Sequence, residues 1–156
     1  MNQQSDWENS ELLHFSNLIH KFNFAMRNNL QIARDYDMGE AYTAIESHLV
    51  LDIEKRPGIT VTELAKERSC SKSAITQAVN RLEKKGLVQR AKASDNQKAS
   101  LLFVTPKGRT LTHNHISFDI KDTQELINHI KTKFSDDEIR TFFSIISYIL
   151  RLDDTK

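Results

Sequence analysis

The stretch 71–90, SKSAITQAVNRLEKKGLVQR, opens with small hydroxyl residues, carries a short apolar stripe, turns basic and stops at a glycine. Ile75, Ala78, Val79 and Leu82 recur in steps that predict one buried helix face. Lys72, Ser73, Thr76, Gln77, Asn80 and Arg81 are left on the opposite face. Ser71 or Ser73 supplies the N-cap, and Gly86 the left-handed residue after the last turn. A helix of this kind is anchored through its apolar stripe and presents a polar, cationic surface to something else.

Upstream, TVTE at 60–63 reads as a capping box, with the Thr60 hydroxyl and Glu63 opening a short helix that runs to about Arg68. Two helices joined by a short turn, the second polar and basic outward, are a helix-turn-helix layout. Downstream, LVQRA (87–91) and SLLFVT (100–105) read as strands, and KASDNQK (92–98) between them as a polar turn. Strand, turn and strand after the second helix make a wing. The expected fold is mainly α with a small β-wing: a winged helix-turn-helix over residues 40–105.

Further out, Leu12, Phe15, Ile19, Phe22, Met26 and Leu30 predict a long helix over 10–34, broken by DYDMGE (35–40). A second helix is expected from about Glu40 to Lys55, with Tyr42, Ile45, Leu49 and Ile53 inward and RPG (56–58) ending it. Thr105 and Pro106 start another, as N-cap and first helical residue, running to about Lys133. SDDE at 135–138 is a capping box for a last helix, IRTFFSIISYIL (139–150). The terminal helices carry more apolar surface than one small winged domain can cover. The expectation is that 1–39 and 106–156 flank the winged domain as dimerisation helices; a purely intramolecular bundle is the alternative.

The net charge of +1 hides a segregation. Residues 66–109 hold eleven Lys and Arg against three acids, a balance of +8, which leaves −7 for the rest. A polyanion is the natural partner of such a segment, with a basic solvated face as the bland alternative. With no apolar run near the ~18 residues of a membrane helix and a polar beginning, MNQQSDWENS, the sequence reads as cytoplasmic, with no membrane partner. A single cysteine excludes an intramolecular disulfide and a Cys-cluster zinc site. No glycine-rich nucleotide loop or supported Ser/His/Asp arrangement is present, so an enzyme is not expected.

In the order of its elements, and in ITVTELAKERSCSKSAITQAVNRLEKKGLVQR (59–90) followed by LLFVTPKGRTL (101–111), the chain resembles the MarR family of winged helix-turn-helix transcriptional regulators. The resemblance is most specific in LEKKGLV (82–88) and VTPKG (104–108) at their separation. It implies a homodimer with interlocked terminal helices, two winged domains on one duplex, and often an effector pocket.

A helix fits the major groove, where each base pair shows its own donor and acceptor pattern. Ser73, Thr76, Gln77 and Asn80 suit base edges and nearby phosphates; Lys72, Arg81, Lys84 and Lys85 suit phosphates. The wing departs from the family. Where most members carry Asp-x-Arg, with the Arg in the minor groove, this chain has Asp95-Asn96-Gln97. Gln97 brings no charge to that groove, and Lys92 and Lys98 are the candidates to replace it.

Three switches are legible. Cys70, just before the basic helix and beside Arg68 and Lys72, is a candidate redox thiol, or a small turn residue. His115 and Asp119, four apart on one helix face, are candidate zinc ligands with His48, which lies close to where zinc-responsive MarR-like members carry a histidine. Water or another carboxylate such as Glu40 or Glu46 would complete the set, His113 is off its face, and a core role for His48 is the alternative. The third is a small organic effector between the first, second and fifth helices, with Phe15, Phe22, Tyr42 and Phe118 as candidate lining. The leading reading is an effector-responsive repressor on an inverted repeat of double-stranded DNA, with no required cofactor. The competitors are a metal-responsive regulator of the same fold and a winged-helix protein-interaction module.

Overall fold

The computed structural model describes residues 7–92 and 100–153. The elements run α1 (Asn9–Gln31), β1 (Ala33–Asp35), β2 (Ala41–Thr43), α2 (Ala44–Lys55), α3 (Val61–Glu67), α4 (Lys72–Lys84), β3 (Val88–Lys92), β4 (Ser100–Val104), α5 (Pro106–Ile130) and α6 (Asp136–Asp153). Two compact units divide the chain within α5, Met1–Asn114 and His115–Lys156.

The first unit is built on a winged helix-turn-helix. Leu49, Val50 and Ile53 of α2, Leu64 of α3, Val79 and Leu82 of α4 and Leu102 of β4 are all buried in its core. Each such side chain contributes about 1.5–3 kcal/mol relative to exposure. β3 and β4 pair antiparallel in the register Val88↔Val104 to Lys92↔Ser100. The other edge of β4 is held by the segment before α3, where Gly58 N donates to Leu102 O at 2.9 Å and Leu102 N to Ile59 O at 3.0 Å. The wing therefore grows from a backbone ladder closed on both sides at its base.

Helix ends follow the expected chemistry. Thr60 and Glu63 form their capping box. Ser71 is the residue that caps α4, accepting from Ala74 N at 3.2 Å. At the far end Gly86 takes φ +71°, while Gly86 N donates to Glu83 O and Leu87 N to Leu82 O, a Schellman closure. The start of α5 then seals that end. Thr105 Oγ1 donates to Gly86 O at 2.7 Å, Thr105 N to Leu87 O at 3.0 Å, and Lys107 Nζ to Lys85 O at 2.9 Å. LEKKGLV and VTPKG are thus the two sides of one joint.

The region between α1 and α2 differs from expectation. The long helix ends at Gln31, not 34, and the second begins at Ala44, not Glu40. Between them β1 and β2 form a short antiparallel ribbon, Ala33↔Thr43 to Asp35↔Ala41. Its turn holds Asp37 and Gly39 at positive φ, and Asp35 Oδ1 accepts from Met38 N and Gly39 N. Thr43 caps α2 with Glu46 in a reciprocal box, which ends the ribbon and starts the helix. Ile45, expected inward, is exposed; Tyr42 is fully buried, but on β2. Burial first, then the Glu40 carboxylate, pushes the Tyr42 phenol up to about 12.

No residue of α1 is buried: Leu12, Phe15, Ile19, Phe22, Met26 and Leu30 all stand exposed. In the second unit α5 ends at Ile130, three residues before the expected Lys133, in a turn where Thr132 N donates to His129 O. Ser135 and Glu138 make the expected capping box for α6. Ile139 is buried, whereas Phe142, Phe143, Ile145, Tyr148, Ile149 and Leu150 are exposed. Among the described residues no helix is long and apolar enough to cross a membrane.

Candidate nucleic-acid interface

Helix α4 buries Ile75, Val79 and Leu82 and turns Lys72, Ser73, Gln77, Asn80, Arg81 and Lys84 to the exposed side. Thr76 is half-buried, and its hydroxyl donates back to Lys72 O at 2.7 Å, so its proton is already committed. Ser73 and Gln77 make no side-chain hydrogen bond among the described residues and keep their full donor and acceptor capacity.

The cations sort into two groups. Arg68 grips Asp52 at 2.5 Å, Arg90 reaches Glu83 at 3.3 Å, and Lys107 pairs with Glu40. Lys85, expected to meet phosphate, instead reaches Glu46 at 2.6 Å and lies 5.0 Å from the Tyr42 ring centroid. The half-buried acid beside it explains that difference. Lys72, Arg81 and Lys84 on α4 and Lys92 on β3 have no acidic partner among the described residues. Lys66 of α3 and Arg109 of α5 also lack an acidic partner among the described residues, and three of the six cations so left, Lys72, Arg81 and Lys84, share the outer face of α4. Asp95, Gln97 and Lys98 lie outside the described residues.

Cys70 occupies the turn between α3 and α4 that Ser69, at φ +50°, makes possible. Its thiol is exposed and donates to Arg68 O at 3.2 Å, while the Arg68 guanidinium is engaged by Asp52. His48 is half-buried on α2. On α5 His115 is 1% exposed and its Nε2 lies 3.3 Å from Asp119 Oδ2, one helical turn away. Glu46 is occupied by Lys85 and by the Thr43 cap, and Glu40 by Lys107, so neither carboxylate is idle. Of the aromatics expected to line an effector pocket, Phe15 and Phe22 are exposed, Phe118 is half-buried and Tyr42 is in the core. The first unit does hold a cleft of about 510 Å³, lined by Ala33, Ala41, Ile45, Ala78, Arg81 and Lys85 among others.

Residues 43–100, from the α2 cap to the first residue of β4, match the family model of the MarR family. This stretch, under half of the chain, is similar to the MarR family. Over 95 residues the chain is 26% identical to an uncharacterized HTH-type transcriptional regulator, YwhA, of Bacillus subtilis (strain 168). That match covers 61% of this chain and 66% of the relative, just under two thirds of its length. Among solved structures, FabT of Streptococcus pneumoniae in complex with DNA is 22% identical, with a TM-score of 0.69 over 96% of this chain and 100% of that one. A cysteine-to-serine variant of MarR from E. coli complexed with operator DNA is 24% identical, with a TM-score of 0.68 over 94% of this chain and 99% of that one. These likenesses establish a MarR-type fold.

Arg90 did not stand out in the sequence as a functional residue. Its Nη2 donates to Asn80 Oδ1 at 2.8 Å, so a wing strand holds a residue of the exposed α4 face. The signal is present only as the basic residue closing GLVQR, with no spacing that ties it to a position ten residues earlier.

Proposed function

We propose that this protein is a sequence-specific, DNA-binding transcriptional regulator that acts as a homodimer and represses transcription by occupying a promoter. The observation that carries the reading is the outer face of α4: among the described residues, Ser73 and Gln77 make no side-chain hydrogen bond and Lys72, Arg81 and Lys84 have no acidic partner. In the major groove the first pair meets base edges while the cations meet phosphates, which fix register and supply most of the affinity. The N-terminus of α4 adds backbone N–H groups to the same task. The homodimer is supported by the exposed apolar residues of α1 and, separately, by those of α6 beyond Ile139, which a single chain leaves in contact with water. Two α4 helices related by a two-fold axis then read half-sites about one helical turn apart on an inverted repeat. Non-catalytic action follows from the same reading, and cytoplasmic residence is what access to the chromosome requires.

Fluorescence anisotropy of a duplex from the region upstream of this protein's own gene, against an unrelated duplex and across a salt series, tests this. The expected result is selective binding whose logarithm falls steeply with log salt, by about 0.9 per phosphate neutralised. No binding to either duplex at low salt would favour a protein-interaction module.

A metal-responsive regulator is the second reading, favoured by the His115–Asp119 pair. A buried imidazole nitrogen 3.3 Å from a carboxylate oxygen, one turn apart on a rigid helix, is a donor set suited to zinc. His48 is the third ligand proposed. The metal would act as an effector by biasing the two α4 helices toward or away from the half-site spacing. In the organic-effector form of the same proposal, the 510 Å³ cleft against the C-terminal half of α4 is where a ligand would act.

A further inference from the structure

Arg90 stands on β3 opposite Leu102, and its guanidinium grips α4 at two points one turn apart. Nη2 donates to Asn80 Oδ1 at 2.8 Å, and Nη1 lies 3.3 Å from Glu83 Oε2. A guanidinium has donors and no acceptor, so the only amide atom Asn80 can turn toward it is the oxygen. The amide is planar, with oxygen and nitrogen on opposite sides of its carbon. Holding Oδ1 against Arg90 therefore turns Nδ2, with its two hydrogens, to the opposite side. Asn80 itself is exposed, on the face of α4 that carries Ser73 and Gln77.

This orientation has a consequence for reading bases. An asparagine recognises adenine by a fork, its oxygen accepting from N6 while its nitrogen donates to N7. With the oxygen held by Arg90, the nitrogen is the leading group, and Asn80 approaches a base edge as a donor. Guanine offers two adjacent acceptors there, O6 and N7, and thymine offers O4. Adenine also offers N7, but sets its N6 donor beside it, where the amide now presents hydrogens instead of its oxygen. Glu83, which would otherwise repel phosphate near this face, is neutralised by the same arginine.

We infer that Arg90 is a specificity-setting positioning residue: through Asn80 it makes one position of the operator select an acceptor edge, guanine or thymine, over adenine. The inference rests on the DNA-binding reading above. Its test is selection from a randomised duplex pool by the full-length wild type and by R90A, R90K and N80A, with the affinity and salt slope of each variant measured on the wild-type consensus.

The expected wild-type consensus contains a position where guanine or thymine exceeds adenine by about tenfold or more. At that position R90A and N80A should both lose the preference, while R90K, which keeps a donor for Oδ1, should largely retain it. Neighbouring positions should be unchanged in all three. N80A alters an exposed side chain and keeps the test readable if R90A is poorly folded. An R90A profile identical to wild type, with a uniform loss of affinity and a shallower salt slope, would make Arg90 a phosphate clamp and overturn the inference. An N80A profile identical to wild type would overturn it equally. Failure of the wild type to enrich any sequence would overturn the DNA-binding reading and this inference together.

Discussion

Gly108 brings the first turn of α5 directly against the backbone of Leu87: a Cβ on Gly108 would stand 2.2 Å from the Leu87 carbonyl oxygen and 2.6 Å from a Val104 methyl. That oxygen is held in place because it accepts from Thr105 N at 3.0 Å. G108A should therefore destabilise the protein at the upper end of the roughly 1–3 kcal/mol typical of overpacking. A lower urea midpoint at constant slope is the expected sign. An unchanged midpoint would show that the α5 joint can shift.

Acid should weaken the joint between α2 and α4. Burial pulls the Glu46 carboxyl up, but the Lys85 ammonium and the Thr43 backbone and hydroxyl outweigh it and hold the group below the ordinary glutamate value. Folding thus favours the carboxylate. Its contribution is complete above the unfolded value, about 4.3, and is lost as pH falls through the lower folded one. Unfolding followed from neutral pH down to about pH 3 should show a flatter loss for E46Q than for wild type. Parallel curves would mean that Lys85 contributes nothing to the fold through Glu46.

The cap of α4 is a single hydroxyl. S71A removes the acceptor for Ala74 N and should cost about 1 kcal/mol. Amide exchange should accelerate chiefly in the first turn of α4, where DNA affinity should also fall. Loss spread evenly over the first unit would point to a packing role instead.

Readers and clamps on α4 should separate experimentally. R81A and K84A should weaken binding to every duplex and flatten the salt slope. Q77A should change preference at one base pair by about 1–3 kcal/mol with a smaller effect on unrelated sequences. Equal, sequence-independent losses from all three would merge the two groups into one.

Zinc retention checks the proposed metal set. Equilibrium dialysis of the full-length protein should show retained zinc that H115A and H48A both reduce at least tenfold in affinity, with D119N weaker than wild type. No retention by wild type, or retention unaffected by these substitutions, removes the metal-responsive reading.

Much of the winged fold could be read along the chain because its signals are local. Thr60 and Glu63, Ser135 and Glu138, and Thr105 with Pro106 each mark a helix start within four residues, and Gly86 marks a helix end. The β1–β2 ribbon escaped for the complementary reason. Three-residue strands carry no usable alternation, and its register is set by the Asp35 turn and the Thr43 cap. TAIE at 43–46 is itself a capping box, hidden behind Tyr42, whose burial on a strand mimics the start of a helical stripe. The candidate interface is legible as a composition of α4 and illegible as a division of labour. Which cations are spent on Glu46, Glu83 and Asp52 depends on partners 39, 7 and 16 residues away, a distance at which spacing has no meaning.

The joint formed by Leu87, Thr105 and Gly108 also decides where the chain tolerates a change of length. The Val88↔Val104 pair and the bond from Thr105 N to Leu87 O close the wing at its root. Residues inserted between Lys92 and Ser100 should leave that root, the end of α4 and the start of α5 in place. Each doubling of that connection adds only about 0.6 kcal/mol of closure cost. One residue inserted between Val104 and Gly108 has no such outlet, because it replaces the glycine that meets the Leu87 carbonyl. This chain should therefore tolerate a change of length between Lys92 and Ser100, and not in the four-residue step from Val104 to Gly108.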